Sequence, residues 1–229
     1  MRNASCVRLL GLLASWLAEF LECRPRTVRF RQCVYEQVAS RLPIRYAEDV
    51  PLTIQLPPLE QQTAFNLQRW FELQNDPDLT RLPHRVETDR YGHILMSPPP
   101  APSHGSRQLE IGYLLKNLLP RGHALTECPL STSDGVKAID VAWLKPERAA
   151  EIQSICLTRS PEICVEVLSP SNGEAEMSEK RALYFEAGAS EVWFCDEQGK
   201  LLFWLASTDK SVERSLLCPQ FPQRILARD

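Results

Sequence analysis

The stretch that decides the fold is PEICVEVLSPSN, residues 161–172. Ile163, Val165 and Val167 recur at every second position, which is the period of a β-strand, and the Ser-Pro-Ser-Asn sequence after them predicts a turn. Glu166 lies inside this apolar run. An ionised carboxylate is costly to bury unless a cation, a metal ion or hydrogen-bond donors meet it. We therefore expect Glu166 to face such a partner.

A second strand with an internal acid is predicted at residues 138–144, AIDVAWL. Its large side chains are expected to share one face: Ile139, Val141 and Trp143. Asp140 is expected on the other face, between two alanines. Two strands that each carry one acid suggest a cation site formed by Asp140 and Glu166.

The composition is that of a globular protein, with 229 residues, 44% hydrophobic and 24% charged. A net charge of −3 argues against a broad, sequence-independent nucleic-acid coat but leaves a local basic groove open. The eight cysteines are scattered, with no CxxC pair and no histidine at metal-ligand spacing. This pattern predicts reduced, structural thiols in a cytoplasmic protein.

The chain is predicted to consist of an N-terminal extension, residues 1–48, and one domain, residues 49–229. The apolar run at residues 9–21 has helical spacing, is too short to span a membrane and lacks a clean signal-peptide cleavage site. No membrane association is expected. A basic cluster at residues 24–31 suggests a nucleic-acid-contacting arm, but we favour a poorly ordered or helical extension.

The domain is predicted to be an α/β fold with a mixed β-sheet flanked by helices. The predicted elements are a helix at 61–75, a hairpin at 84–96 turning near Gly92, a helix from an N-cap at Ser103 to Leu118, strands near 124–128, 138–144 and 163–168, a helix at 174–187 ending at Gly188, and a hairpin at 191–206.

The helix after Glu166 carries Lys180. Met177, Lys180 and Tyr184 lie along one side of it at three- and four-residue spacing. Lys180 is therefore expected to reach back toward Glu166 and Asp140. Two carboxylates can hold Mg²⁺ with water, and a lysine beside the ion can orient or help deprotonate an attacking water. These residues suit phosphodiester hydrolysis.

The sequence resembles the Uma-two family of restriction-endonuclease-like proteins, within the PD-(D/E)XK nuclease superfamily, over roughly residues 58–225. The motifs that carry the resemblance are 161–172, Lys180, Tyr184, Gly188, Glu191-Val192-Trp193 and Asp196, with Glu87, Gly92, 96–99, His104 and 140–143 upstream.

This resemblance implies a restriction-endonuclease-like sheet and Mg²⁺-dependent cleavage of DNA, with Mn²⁺ as an alternative ion. It implies that Asp140 and Glu166 are catalytic metal ligands and that Lys180 is the catalytic lysine. A further catalytic glutamate is assigned to Glu110, with Glu87 as the other candidate. His104 is interpreted as a helix-start residue, and Tyr184 as a side chain that packs and positions the lysine.

Two positions depart from the superfamily pattern. Ile139 stands where a proline precedes the aspartate, and Leu168 stands where a lysine is expected, so the lysine role moves to Lys180. Two other functions stay open at this point. One is a catalytically inactive DNA-binding or regulatory module of the same fold, and the other is an interaction protein. A homodimer through the terminal hairpin is also left open.

Overall fold

The computed structural model describes residues 58–170, 172–208 and 210–225, so the predicted extension and its boundary near residue 49 lie outside the described residues. The helices are α1 (Leu59–Gln74), α2 (Pro102–Leu118) and α3 (Glu174–Glu186), with 3-10 helices at Leu79–Arg81 and Pro146–Gln153. The strands are β1 (Arg85–Thr88), β2 (Ile94–Ser97), β3 (His123–Thr132), β4 (Gly135–Leu144), β5 (Ile163–Val167), β6 (Glu191–Cys195), β7 (Leu201–Leu205) and β8 (Ser211–Val212). In the part of the chain that these ranges cover, no helix is long and apolar enough to cross a membrane.

Six strands form one mixed sheet in the order β3-β4-β5-β6-β7-β8. Only β5 and β6 pair in parallel among these described strands, and α3 connects them. The hairpin β1–β2 forms a separate two-stranded sheet. The predicted α/β fold with a mixed sheet flanked by helices is confirmed.

The core lies on both faces of the sheet, as the alternation in β5 predicts. Val165 and Val167 pack in a cluster with Ile111 and Leu115 of α2. Cys164 lies in the opposite cluster, with Met177 and Tyr184 of α3. Because Glu166 follows the same alternation as Cys164, its side chain is directed toward α3.

The alternation predicted for β4 is wrong at one point. Ile139 packs in the same cluster as Ala142 and Leu144, not with Val141 and Trp143. The cause is local: the pairing of β3 with β4 skips Glu127 opposite Asp140, and Glu127 adopts a positive φ of 50°. The strand pair is therefore distorted at the position that carries the candidate metal ligand.

The start of α2 also differs from its prediction. The N-cap is Ala101 rather than Ser103, and Pro102 occupies the first turn. Proline suits that position because its fixed φ matches a helix and its missing N–H has no partner to lose there. The predicted end of α3 is confirmed, since Gly188 has a φ of 103° and its amide donates to the Phe185 carbonyl.

The described cysteines are all free and buried: Cys128, Cys156, Cys164, Cys195 and Cys218. Burial raises the pKa of the Cys128 thiol to about 12. These thiols are therefore protonated at neutral pH and behave as small apolar side chains, as predicted.

Helix α1 is attached to the sheet by polar groups as well as apolar ones. Its side chain Asn66 is 1% exposed and donates from Nδ2 to Ser131 Oγ and to the Thr132 carbonyl, both at 2.9 Å. Gln62 donates to Asn66 Oδ1 at 2.8 Å. Phe65 of the same helix is 43% exposed.

Asn66→Ala should lower the free energy of unfolding by about 2–3 kcal/mol, because it leaves buried polar groups on both elements without partners. Gln68→Ala, at an exposed position of the same helix, is the matched control and should change it by less than about 0.5 kcal/mol. Urea unfolding followed by circular dichroism measures both. Equal effects of the two substitutions would show that this polar contact does not hold α1 to the sheet.

Candidate active site

A cleft of about 440 Å³ opens beside the end of β5. Its walls include the segment 97–104 that leads into α2 and the segment 166–170 that leaves β5. Four of the charged side chains that line it come from four different elements: Glu87 from β1, Asp140 from β4, Glu166 from β5 and Lys180 from α3. The structure therefore brings the three predicted residues Asp140, Glu166 and Lys180 to one place.

Lys180 reaches back from α3 as its helical spacing predicts. Its Nζ donates to Glu166 Oε2 at 3.2 Å and to Glu87 Oε1 at 3.1 Å. Burial lowers the pKa of Lys180, but the charges of Glu166 and Glu87 outweigh it, and the pKa lies above its usual value. The ammonium group therefore bridges two carboxylates in its charged form.

Both oxygens of Glu166 have donors. Tyr184 donates its hydroxyl to Oε1 at 2.8 Å, and Lys180 contacts Oε2. Burial raises the pKa of Glu166 to about 7, against the opposing charge of Lys180. Because Lys180 and Tyr184 are four residues apart, one face of α3 supplies both contacts.

Asp140 is 1% exposed and makes four contacts. Its Oδ2 accepts the Val167 amide at 2.7 Å and lies 3.3 Å from His104 Nε2. Its Oδ1 accepts Arg85 Nη1 at 2.6 Å and Gln108 Nε2 at 3.2 Å. Burial raises the pKa of Asp140, but the bond to His104, the charge of Arg85 and the Val167 amide together bring it below its usual value. The carboxylate is therefore ionised.

Arg85, Gln108 and the contact of His104 with Asp140 were not predicted from the sequence. His104 and Gln108 are four residues apart on α2, so both can face the same carboxylate. Arg85 and Glu87 are two apart on β1 and therefore share a face. These spacings are signals that could have identified the three residues once Asp140 and Glu87 were candidates.

The two candidate glutamates differ in position. Glu87 lines the cleft, and its Oε1 accepts from Lys180 and from the Ala138 amide at 3.0 Å. Glu110 is half-buried on α2 and is not among the residues that line the cleft. The geometry thus places Glu87 beside Asp140, Glu166 and Lys180, whereas a catalytic role for Glu110 stays a prediction.

The donor set fits a divalent cation in its chemistry. Mg²⁺ takes oxygen ligands and is commonly held by one or two carboxylates with water. No group of three or more His, Cys, Asp or Glu side chains within the described residues is already arranged around a metal position. One reason is visible at Asp140, where the Arg85 guanidinium takes a carboxylate oxygen that a cation would use. Asp140 and Glu166 carry the oxygen donors that such an ion takes, and Arg85 contacts one oxygen of Asp140.

The fold and the cleft define a restriction-endonuclease-like α/β protein. The model of the Uma2 family, described as “Putative restriction endonuclease”, matches residues 76–226, and the chain belongs to this family. A similar solved structure, described as a putative nuclease belonging to DUF820, comes from Anabaena variabilis ATCC 29413. It has 16% sequence identity and a TM-score of 0.48, over 54% of this chain and 73% of that one. No curated protein matches the chain.

Tyr184→Phe should lower the free energy of unfolding of the metal-free protein by about 2 kcal/mol, because the buried Glu166 carboxylate loses a hydrogen-bond donor while the ring still packs. Tyr113→Phe, on α2 at a residue that is 54% exposed, is the matched control and should have little effect. Chemical unfolding in the presence of a chelator measures both variants. A Tyr184→Phe protein as stable as the wild type would contradict the assigned role of the hydroxyl.

Proposed function

We propose that the protein is a Mg²⁺-dependent endonuclease that hydrolyses phosphodiester bonds in DNA, with Mn²⁺ able to replace Mg²⁺. The observation that supports this function best is the meeting of Asp140, Glu166, Glu87 and Lys180 in one cleft from four elements. Membership of the Uma2 family supports the same reaction class.

In this proposal Asp140 and Glu166 hold the cation. A bound divalent cation supplies positive charge for the reacting phosphate and a more acidic water molecule. The Tyr184 hydroxyl fixes the rotation of Glu166, and Glu87 holds Lys180 beside it. Two of the three Nζ–H groups of Lys180 serve Glu166 and Glu87, and Lys180 donates the third toward the attacking water.

The reaction breaks one ester bond and consumes one water molecule. The water oxygen forms a bond to phosphorus while the bond from phosphorus to the leaving oxygen breaks. One proton of the water passes to solvent, and the leaving oxygen takes a proton to become a hydroxyl. The products are a phosphate monoester end and a free hydroxyl end.

The charge of the cleft supports a second role for the cation in this proposal. Its lining carries five carboxylates, Glu87, Asp140, Glu166, Glu176 and Glu197, against three permanent cations, Arg85, Arg107 and Lys180. A DNA phosphate entering without a divalent ion would meet an excess of negative charge. The cation therefore serves substrate binding as well as the chemical step.

One observation favours a second candidate, an inactive DNA-binding or regulatory module. Arg85 already neutralises Asp140 at 2.6 Å, as a structural ion pair would. In that function Arg85 would keep Asp140 permanently, and the protein would bind DNA without cleaving it.

Nicking of supercoiled plasmid distinguishes the two functions. Wild-type protein should cleave with Mg²⁺ or Mn²⁺ and stop when the metal is removed with a chelator. Asp140→Asn, Glu166→Gln and Lys180→Met should each lower the rate by about 100-fold or more, because the first two weaken the hold on the cation and the third removes a positive charge beside the reacting phosphate. Glu176→Gln, at an exposed rim position, is the matched control and should retain cleavage.

Glu87→Gln should lower the rate more than Glu110→Gln does, because Glu87 contacts Lys180. The reverse order would assign the catalytic glutamate to Glu110. If pure wild-type protein binds DNA but nicks none of it with either ion, the endonuclease function is rejected and the inactive DNA-binding module is favoured.

A further inference from the structure

Arg85 lies in the wall between two cavities. It lines the cleft, and it also lines a second cavity of about 500 Å³ that includes Trp70, Leu73 and Ile155. Its side chain is 18% exposed. Besides the bond to Asp140, its Nη2 donates to the Ala138 carbonyl. Arg85 therefore borders both the candidate active site and the neighbouring cavity.

The bond to Asp140 places Arg85 where it must compete with a divalent cation. Both positive groups need a lone pair of the same buried carboxylate, and two cations at close range in a protein repel each other. Asp140 keeps other donors on both oxygens, namely Val167, His104 and Gln108. Exchange of Arg85 for a cation therefore leaves the carboxylate oriented by the remaining three contacts.

A second partner for Arg85 is already within reach. Its Nε lies 3.5 Å from Glu127 Oε2, close enough for an ion pair, yet this buried nitrogen makes no hydrogen bond within the described residues. Glu127 is held from the other side by Gln108, which donates to Oε1 at 2.6 Å. Glu127 also lines the second cavity, into which the guanidinium can turn.

We propose that Arg85 is a built-in counter-ion of the cleft, which occupies Asp140 in the metal-free protein and turns toward Glu127 when a divalent cation binds. This proposal rests on the proposed function, because it takes Asp140 as a metal ligand. The apparent affinity for the cation is then the intrinsic affinity multiplied by the fraction of molecules in which Arg85 has left Asp140. It also keeps the buried carboxylate neutralised before the metal arrives.

Calorimetric titration of the DNA-free protein with Mg²⁺ and with Mn²⁺ tests the proposal. Arg85→Gln should bind either ion about tenfold more tightly than the wild type, because the competing cation is gone. Arg107→Gln is the matched control. It removes a positive charge from the same cleft, but Arg107 donates to the Glu197 carbonyl rather than to Asp140, so its affinity should change by less than about threefold.

Glu127→Gln tests where Arg85 goes. In the wild-type background it should weaken cation binding several-fold, because the displaced guanidinium loses its second partner. In the Arg85→Gln background the same substitution should have no effect, since no guanidinium remains to be placed. This double-mutant cycle distinguishes displacement of Arg85 from a general change in the electrostatic field of the cleft. A general change would make the effects of the two substitutions on cation affinity additive.

Three results would overturn the counter-ion role: unchanged cation affinity in Arg85→Gln, an equal gain in Arg107→Gln, or additive effects in the cycle. If Arg85→Gln does not fold, an unchanged affinity in Glu127→Gln alone would also overturn it. Asp140→Asn distinguishes a failure of the counter-ion role from a failure of the proposed function. Loss of cation binding in Asp140→Asn with no gain in Arg85→Gln would reject only the counter-ion, whereas unchanged binding in Asp140→Asn would reject Asp140 as a metal ligand.

Discussion

The burial of the Asp140 carboxylate is the constraint on which the other elements depend. An ionised carboxylate that is 1% exposed would be costly without donors, and here the donors come from three other elements. Arg85 belongs to the β1–β2 hairpin, His104 and Gln108 belong to α2, and the Val167 amide lies at the end of β5. This one side chain therefore connects the hairpin, the helix and the end of β5 at one point of the sheet.

The second carboxylate, Glu166, receives its hydrogen bonds from side chains on consecutive turns of one helix, α3. Leu168 follows β5 at the position where the sequence resemblance led us to expect a lysine, and it packs against the core on the α3 side of the sheet. The charge instead comes from Lys180 on α3, and Tyr184 binds the other oxygen of Glu166 from the next turn. A helix can provide both contacts because side chains four residues apart lie on one face. Glu166 is thus held by one element, whereas Asp140 is held by three.

This difference explains what the sequence could predict. Lys180 and Glu166 are separated by 14 residues, and strand and helix periodicity are enough to bring them together. Arg85 and Asp140 are separated by 55 residues, and Glu87 and Lys180 by 93, so their contacts depend on how the hairpin docks. Periodicity contains no such information. The alternation in β4 failed for a related reason, because the distortion at Glu127 is a property of the strand pair and not of either strand alone.

The two cations that contact the buried carboxylates of the cleft, Arg85 and Lys180, are not equivalent. Lys180 bridges Glu166 and Glu87, so its departure would leave two carboxylates without a counter-charge. Arg85 serves mainly Asp140, and the carboxylate of Glu127 is already 3.5 Å from its Nε. Moving Arg85 breaks its pair with Asp140, a 4.0 Å pair with Glu87 and the hydrogen bond to the Ala138 carbonyl, but Glu127 remains as a partner. Moving Lys180 breaks two pairs, and no other carboxylate within the described residues is paired with it. If one positive group moves away to admit a divalent ion, the contacts indicate that Arg85 is the one that moves. Lys180 then stays beside the reacting phosphate.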